Sequence, residues 1–244
     1  MDIAGLGVFV VWLLAGFICG IAGLGGAMVG VPIISLFVPL RVVVPLSCLL
    51  TLCIDTSLTF LHFRYCNWRS LVPMLAGMVP GAFLGLKLLL FLPETTILAS
   101  VGFFLLLVVV WQCLAKPVSE PRNDFFPVGF GAGFAAGTLG SSTSFNGPPS
   151  AAYAMYMGWP PRRAVGTLSA FYAVSECFTC GIMWHSGLYT PEVLHLVVYG
   201  IPGVLLGAVL AVPVIKRMDT RRFLRVLRVI IVIAAILCLR KAYF

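Results

Sequence analysis

The sequence predicts an all-α polytopic membrane protein with two inverted-topology repeats. Three observations lead to this fold class. Hydrophobic residues make up 61% of the 244 residues and charged residues only 10%, long apolar segments follow one another, and the second half repeats features of the first. A soluble domain carries about 25% charged residues. The net charge of +8 does not indicate a nucleic-acid partner, because the basic residues cluster at the ends of apolar segments, where they set membrane orientation.

Eight apolar segments account for most of the chain: 4–37, 41–63, 71–92, 96–115, 126–158, 163–184, 192–215 and 222–240. Six of them have the length of about 20 residues that crosses a hydrocarbon core. The segments 4–37 and 126–158 are too long for one span, and each contains a glycine-rich stretch. We expect each to break at its glycines into two arms of roughly 12–17 residues. Such arms can dip to the membrane midplane and return as a re-entrant hairpin.

The two halves match along their length. A shift of 121 residues superimposes Gly16 on Gly137, Arg41 on Arg162 and Asp55 on Glu176, and a shift of 122 lays Val79–Gly85 over Ile201–Gly207. Each repeat is therefore predicted to be a broken hairpin followed by three transmembrane helices. The first repeat covers residues 1–115, the second covers residues 126–244, and a short linker at 116–125 joins them.

The basic residues predict the orientation. If each long segment is a hairpin, the loops at 64–69, 116–122, 162–163 and 216–228 face the cytoplasm and hold 12 of the 16 basic residues. If each long segment crosses once, only 10 of them lie inside. The positive-inside rule favours the hairpins. The linker then lies in the cytoplasm and both termini lie outside.

The starts of the second hairpin arms are the predicted substrate site. A helix that begins at the midplane presents unpaired N–H groups and the positive end of its dipole, which attract anions. The candidate substrate-binding residues are Gly23, Gly25, Gly26, Ser141, Ser142, Thr143, Ser144, Asn146 and Gly147. The alternative for the hydroxyl groups is that they bond to nearby carbonyls and only stabilise the break.

Two acidic residues are predicted to couple transport to protons. Asp55 and Glu176 are the acids deep within spanning segments, and they are equivalent in the two repeats. A carboxyl group in a membrane is costly and usually faces a partner or a cavity. The alternative is a protonated, hydrogen-bonded structural acid. The three histidines do not cluster, so we expect no metal, and we expect no cofactor.

The glycine pattern resembles that of a known family. Gly-x-x-x-Gly-x-x-Gly-x-Gly-Gly before a proline, at Gly16–Pro32, resembles the first-repeat signature of the sulfite exporter TauE/SafE family, and Gly147–Pro149 resembles its second-repeat counterpart. Ala27 stands where a third consecutive glycine is common, and Ser141–Asn146 replaces the second glycine run. The resemblance implies export of small sulfur oxyanions, such as sulfite or sulfoacetate, across the bacterial plasma membrane.

These observations together predict a secondary transporter of a small anion, driven by ions or protons and held in the lipid bilayer. The alternatives are an intramembrane enzyme, a membrane protein that handles lipid or haem, and an anion channel. An enzyme would need a nucleophile–base pair or a metal cluster, and the sequence shows neither. The anion, the direction of transport, the coupling ion and any oligomer stay open at this point.

Overall fold

The structure, a computed structural model, describes residues 3–22, 26–114 and 125–215, with single residues and short stretches between 229 and 240. Residues 116–124 of the predicted linker and most of the eighth apolar segment lie outside the described residues. The described helices are α1 (Ile3–Ala22), α2 (Gly26–Ile34), α3 (Leu40–His62), α4 (Trp68–Phe91), α5 (Glu94–Leu114), α6 (Phe126–Thr143), α7 (Gly147–Tyr156), α8 (Pro161–His185) and α9 (Pro191–Ile215). A short 3₁₀ turn, Phe63–Tyr65, connects α3 with α4.

The predicted fold class, an all-α polytopic membrane protein, is confirmed. The described residues form no strand. Four helices are long and apolar enough to cross a membrane: Leu40–Phe60, Trp68–Phe91, Arg162–His185 and Pro191–Ala211. The shorter apolar helix Gly5–Gly20 lies within α1.

Each long glycine-rich segment forms a helical hairpin. In the first hairpin, a Cβ added at Gly26 would lie 3.2 Å from the Cβ of Cys19, and one added at Gly30 would lie 3.2 Å from the ring of Trp12. The arms therefore run antiparallel, and the chain enters and leaves at one end. The arms have 20 and 9 residues in the first hairpin and 18 and 10 in the second. In each hairpin the first arm is therefore longer, and the second arm shorter, than the expected length of roughly 12–17 residues. In α1, Gly16 and Gly20 lie inside the helix as packing positions.

The break in the second hairpin has a local cause. Ser144 ends α6 in the left-handed conformation, with φ of 61°, and its N–H bonds to the Gly140 carbonyl at 2.7 Å. This conformation is uncommon for a residue other than glycine. Pro148 then lies in the first turn of α7, where a helix needs no N–H donor. The chain therefore reverses direction within three residues.

Each hairpin packs against a helix of the other repeat. The first arm α1 pairs with α9, and the first arm α6 pairs with α4. We call these two contacts the glycine seams, because glycines bring the backbones together. A Cβ added at Gly203 would lie 2.5 Å from the Phe9 carbonyl oxygen, and one at Gly81 would overlap the Phe134 carbonyl. Small residues allow this close approach of membrane helices. In both seams residue numbers increase together, so the paired helices are parallel.

The two glycine seams differ in register. Gly85 faces Thr138 in one seam, and Gly207 faces Leu13 in the other. Gly85 and Gly207 are equivalent positions, 122 residues apart, but the residues that they face, Leu13 and Thr138, are 125 residues apart. The hairpins themselves repeat at a shift of 121 residues, since α2 begins at Gly26 and α7 at Gly147. The first hairpin therefore reaches four residues further along its seam than the second, which is about one helical turn.

The central pair of helices is α3 with its repeat equivalent α8. Gly166, near the start of α8, lies beside His62 at the end of α3. Tyr189, just beyond α8, donates to the carbonyl of Pro45 near the start of α3 at 3.4 Å. The two helices are therefore antiparallel.

Candidate functional site

A small polar cavity lies where the two hairpins meet. Its volume is about 20 Å³, which is room for one or two water molecules. Both hairpins line it, together with the central pair of helices. The lining residues used below are Cys19, Gly26, Thr51, Asp55, Ser144, Asn146, Gly147 and Tyr172.

Two helices begin at this cavity. Gly26 is the first residue of α2 and Gly147 the first residue of α7, and both line the cavity. The N–H groups of a first helical turn have no partner within the helix, and the dipoles place partial positive charge there. The absent side chain of Gly26 lets α2 pack on α1, because an added Cβ would meet Cys19. The predicted residues Gly23 and Gly25 lie outside the described part of the chain.

Ser144 and Asn146 supply polar side chains to the cavity. The Ser144 hydroxyl lies 3.2 Å from the carbonyl oxygen of Val44 and 3.4 Å from the sulfur of Cys48. Asn146 Nδ2 donates to Glu176 Oε1 at 2.9 Å. Both side chains therefore connect the second hairpin to the central helices.

The other three hydroxyl residues of this run do not line the cavity. Their bonds lie within the protein: Ser141 with Thr179 at 3.4 Å, Ser142 to the Thr138 carbonyl at 2.7 Å, and Thr143 to the Leu139 carbonyl at 2.9 Å. Bonding to the carbonyl four residues back is a local option for hydroxyl groups in helices. These bonds are of the kind that the alternative to ligand binding requires, in which the hydroxyl groups stabilise the break.

The two predicted acids lie at the cavity and beside it. Asp55 lines the cavity and is 6% exposed, and Glu176 is 2% exposed. Glu176 Oε2 has no hydrogen-bond partner among the described residues. No lysine or arginine is among the described residues that line the cavity, so the two acids lack a basic partner there.

Tyr172 belongs to the site and was not predicted. Its hydroxyl lies 2.7 Å from the hydroxyl of Ser150 on α7, so it connects α8 to the second hairpin. One signal could have identified it. A tyrosine in the middle of a span, far from either interface, needs a hydrogen-bond partner within the protein.

Among the described residues, no group of three or more His, Cys, Asp or Glu side chains could hold a metal ion. Comparison with known proteins adds one match. The model of a protein family described as sulfite exporter TauE/SafE matches residues 8–238. No curated protein and no solved structure matches the chain. The matched range contains the second hairpin, the first hairpin from Val8 onward and all residues named above as lining the cavity.

Proposed function

Because the chain belongs to the sulfite exporter TauE/SafE family, we propose that it is a secondary transporter that exports sulfite, sulfoacetate or another organosulfonate across the bacterial plasma membrane. Membership in the family makes it a membrane transporter of anions. One observation carries the finer proposal. Two helix starts from different hairpins, Gly26 and Gly147, share a polar cavity with the buried acid Asp55.

The anion is held by hydrogen bonds from neutral donors. Backbone N–H groups at the starts of α2 and α7 bind its oxygens, with the Ser144 hydroxyl and the Asn146 amide. Hydrogen bonds to a charged acceptor are short and strong, and they need no arginine. Sulfite has four heavy atoms and does not fit a cavity of about 20 Å³. We infer that the two hairpins separate to admit it.

The buried acids couple the anion to a proton. An anion beside Asp55 is repelled when the carboxyl group is ionised and tolerated when it is protonated. Protonation of Glu176 also weakens its pull on the Asn146 amide, because hydrogen bonds to charged groups are the stronger ones. The amide can then turn toward the anion. The proton and the anion therefore favour each other's binding, which makes transport depend on pH.

The glycine seams suggest the movement. We infer that the repeats are inverted, as the antiparallel α3 and α8 indicate, and that the two hairpins exchange their registers by one turn during transport. One-turn shifts of helices are a known mode of switching.

A disulfide between Gly20→Cys and Ala211→Cys would lock one register, because an added Cβ at Gly20 would lie 2.5 Å from the Cβ of Ala211. Bridged Cβ atoms are about 3.8 Å apart, so a small shift suffices. In a cysteine-free protein, oxidation should stop transport and reduction should restore it; undiminished transport by the oxidised variant would refute the sliding.

The function is tested in proteoliposomes. We expect saturable counterflow of labelled sulfite or sulfoacetate, with competition among sulfonates. The variants Asp55→Asn and Glu176→Gln should lose the pH dependence of transport. Glu192→Gln is the matched control, because Glu192 is an exposed acid in the first turn of α9. Flux that never saturates would instead indicate a channel, and no flux with any anion of the panel would refute the proposal.

A further inference from the structure

A second cavity lies at the end of the molecule where α3 ends and α8 begins. It is an open groove of about 660 Å³. Both repeats line it, with the connection after α3 on one side and the start of α8 on the other. We call it the arginine groove. Its lining residues are Arg64, Tyr65, Cys66, Asn67, Pro160, Arg162 and Arg163.

The groove carries positive charge without a described counter-charge. Arg64 and Arg162 both lie over the ring of Tyr65, at 4.9 and 5.9 Å from its centre. These cation–π contacts hold the guanidinium groups in place without neutralising them. The described carboxyl groups lie elsewhere: Asp55 and Glu176 at the central cavity, Glu94 beside the N–H of Leu40, and Glu192 at the start of α9.

The repeat equivalent of Arg162 shows what is unusual about it. Arg41 bonds to two carbonyl oxygens at the end of α4, with Nε 3.3 Å from the oxygen of Leu89 and Nη2 2.5 Å from that of Leu90. That arginine therefore caps a helix end. Arg162 makes no hydrogen bond or ion pair with any described residue and faces the groove instead. A planar guanidinium fits the oxygens of a phosphate.

The depth of the groove points to a lipid. Next to it, Phe63 and Trp68 form an edge-to-face pair with ring centres 5.4 Å apart, and both are about half exposed, at 54% and 52%. Exposed aromatic residues at helix ends lie at the level of the lipid headgroups. Basic pockets between membrane helices bind anionic headgroups. We propose that the arginine groove binds the phosphate headgroup of an anionic phospholipid, at the junction of the two repeats.

The proposal is independent of the transported anion and is tested by lipid binding. The purified full-length protein in detergent is titrated with phosphatidylglycerol or phosphatidylcholine, and bound lipid is counted by native mass spectrometry. We expect phosphatidylglycerol to bind more tightly. Each of Arg64→Ala and Arg162→Ala should weaken its binding about fivefold, since a basic residue near the lipid surface contributes about 1 kcal/mol. Arg162→Lys should lose less, because it keeps the charge but not the planar fork.

The matched control is Arg69→Ala. Arg69 is an exposed arginine in the first turn of α4 at the same end, and it does not line the groove. Three results would overturn the proposal. The first is equal affinity for phosphatidylglycerol and phosphatidylcholine. The second is a loss of phosphatidylglycerol binding in Arg69→Ala as large as that in Arg64→Ala and Arg162→Ala. The third is displacement of phosphatidylglycerol by inorganic phosphate as effective as displacement by the lipid itself, which would make the groove a site for soluble anions. Size-exclusion profiles identify variants that fail to fold, and Arg162→Lys serves as the conservative substitute.

Discussion

Alanine at Gly133 should destabilise the protein, and alanine at Gly131 should not. Both glycines lie in α6, two residues apart, on different faces. A Cβ added at Gly133 would lie 2.6 Å from the carbonyl carbon of Met74 and closer still to its oxygen, whereas one added at Gly131 would meet nothing within 4 Å. Ordinary van der Waals contact begins at 3.4 Å. The backbones of α4 and α6 must therefore part by at least about 0.8 Å, the difference between the two distances.

The magnitude follows from two opposing terms. Overpacking a close contact costs roughly 1–3 kcal/mol. Replacing glycine by alanine in a helix gains roughly 0.5–1 kcal/mol. Gly131→Ala receives only the gain, and Gly133→Ala receives both terms. The difference in free energy of unfolding between the two variants is therefore the overpacking term alone, about 1–3 kcal/mol.

Unfolding in mixed micelles, followed by tryptophan fluorescence, measures this difference. The same comparison is available in the other seam. A Cβ at Gly16 would lie 2.9 Å from the Cα of Val204, whereas one at Gly7, also in α1, would meet nothing within 4 Å. If Gly133→Ala is as stable as Gly131→Ala, and Gly16→Ala as stable as Gly7→Ala, the helices do not pack backbone to backbone and the seams are wrong.

Three further predictions concern the site and its orientation. Anion affinity measured by calorimetry should fall as the pH rises, because binding needs protonated carboxyl groups. The double variant Asp55→Asn/Glu176→Gln should bind the anion with an affinity that no longer changes with pH. If the variant keeps the pH dependence, the two acids are structural. Ser144→Ala should weaken anion binding by roughly 5- to 150-fold, the loss of one donor at 1–3 kcal/mol, whereas Ser142→Ala should leave it unchanged. Ser144→Gly suits the positive φ and should weaken binding as much, so full affinity in that variant would show that the hydroxyl does not contact the anion. A single cysteine at Ser119, in a cysteine-free protein, should react only with reagents that enter the cytoplasm, and external labelling would invert the proposed topology.

Composition and the glycine pattern were sufficient for the fold class, and the hairpins formed where the long segments required a break. Gly16 and Gly20 lie four residues apart, a spacing that permits the close approach of another helix. The spacing could not say that this helix is α9, because a small residue permits contact with any partner of suitable shape. The register difference between the seams was equally hidden, since it depends on both partners.

The polar run before α7 shows a different limit. Ser142 and Ser144 are the same residue type two positions apart, yet one hydroxyl bonds to its own helix and the other faces the cavity. The φ of Ser144 decides this, and a hydroxyl group offers no sequence signal for it. Tyr172 was missed for a related reason, because its partner Ser150 lies in another helix.

The pairing of α1 with the late helix α9 in one glycine seam has a consequence for biosynthesis. The first helix, α1, is made early, but its partner α9 begins only at Pro191, and at 5–20 residues per second the ribosome needs roughly 10–30 s to reach it. During that time the glycine face of α1 has no helix to pack against. In the structure, each glycine seam joins a helix from the first half of the chain to a helix from the second half. Two halves produced as separate chains should accumulate only when they are synthesised together.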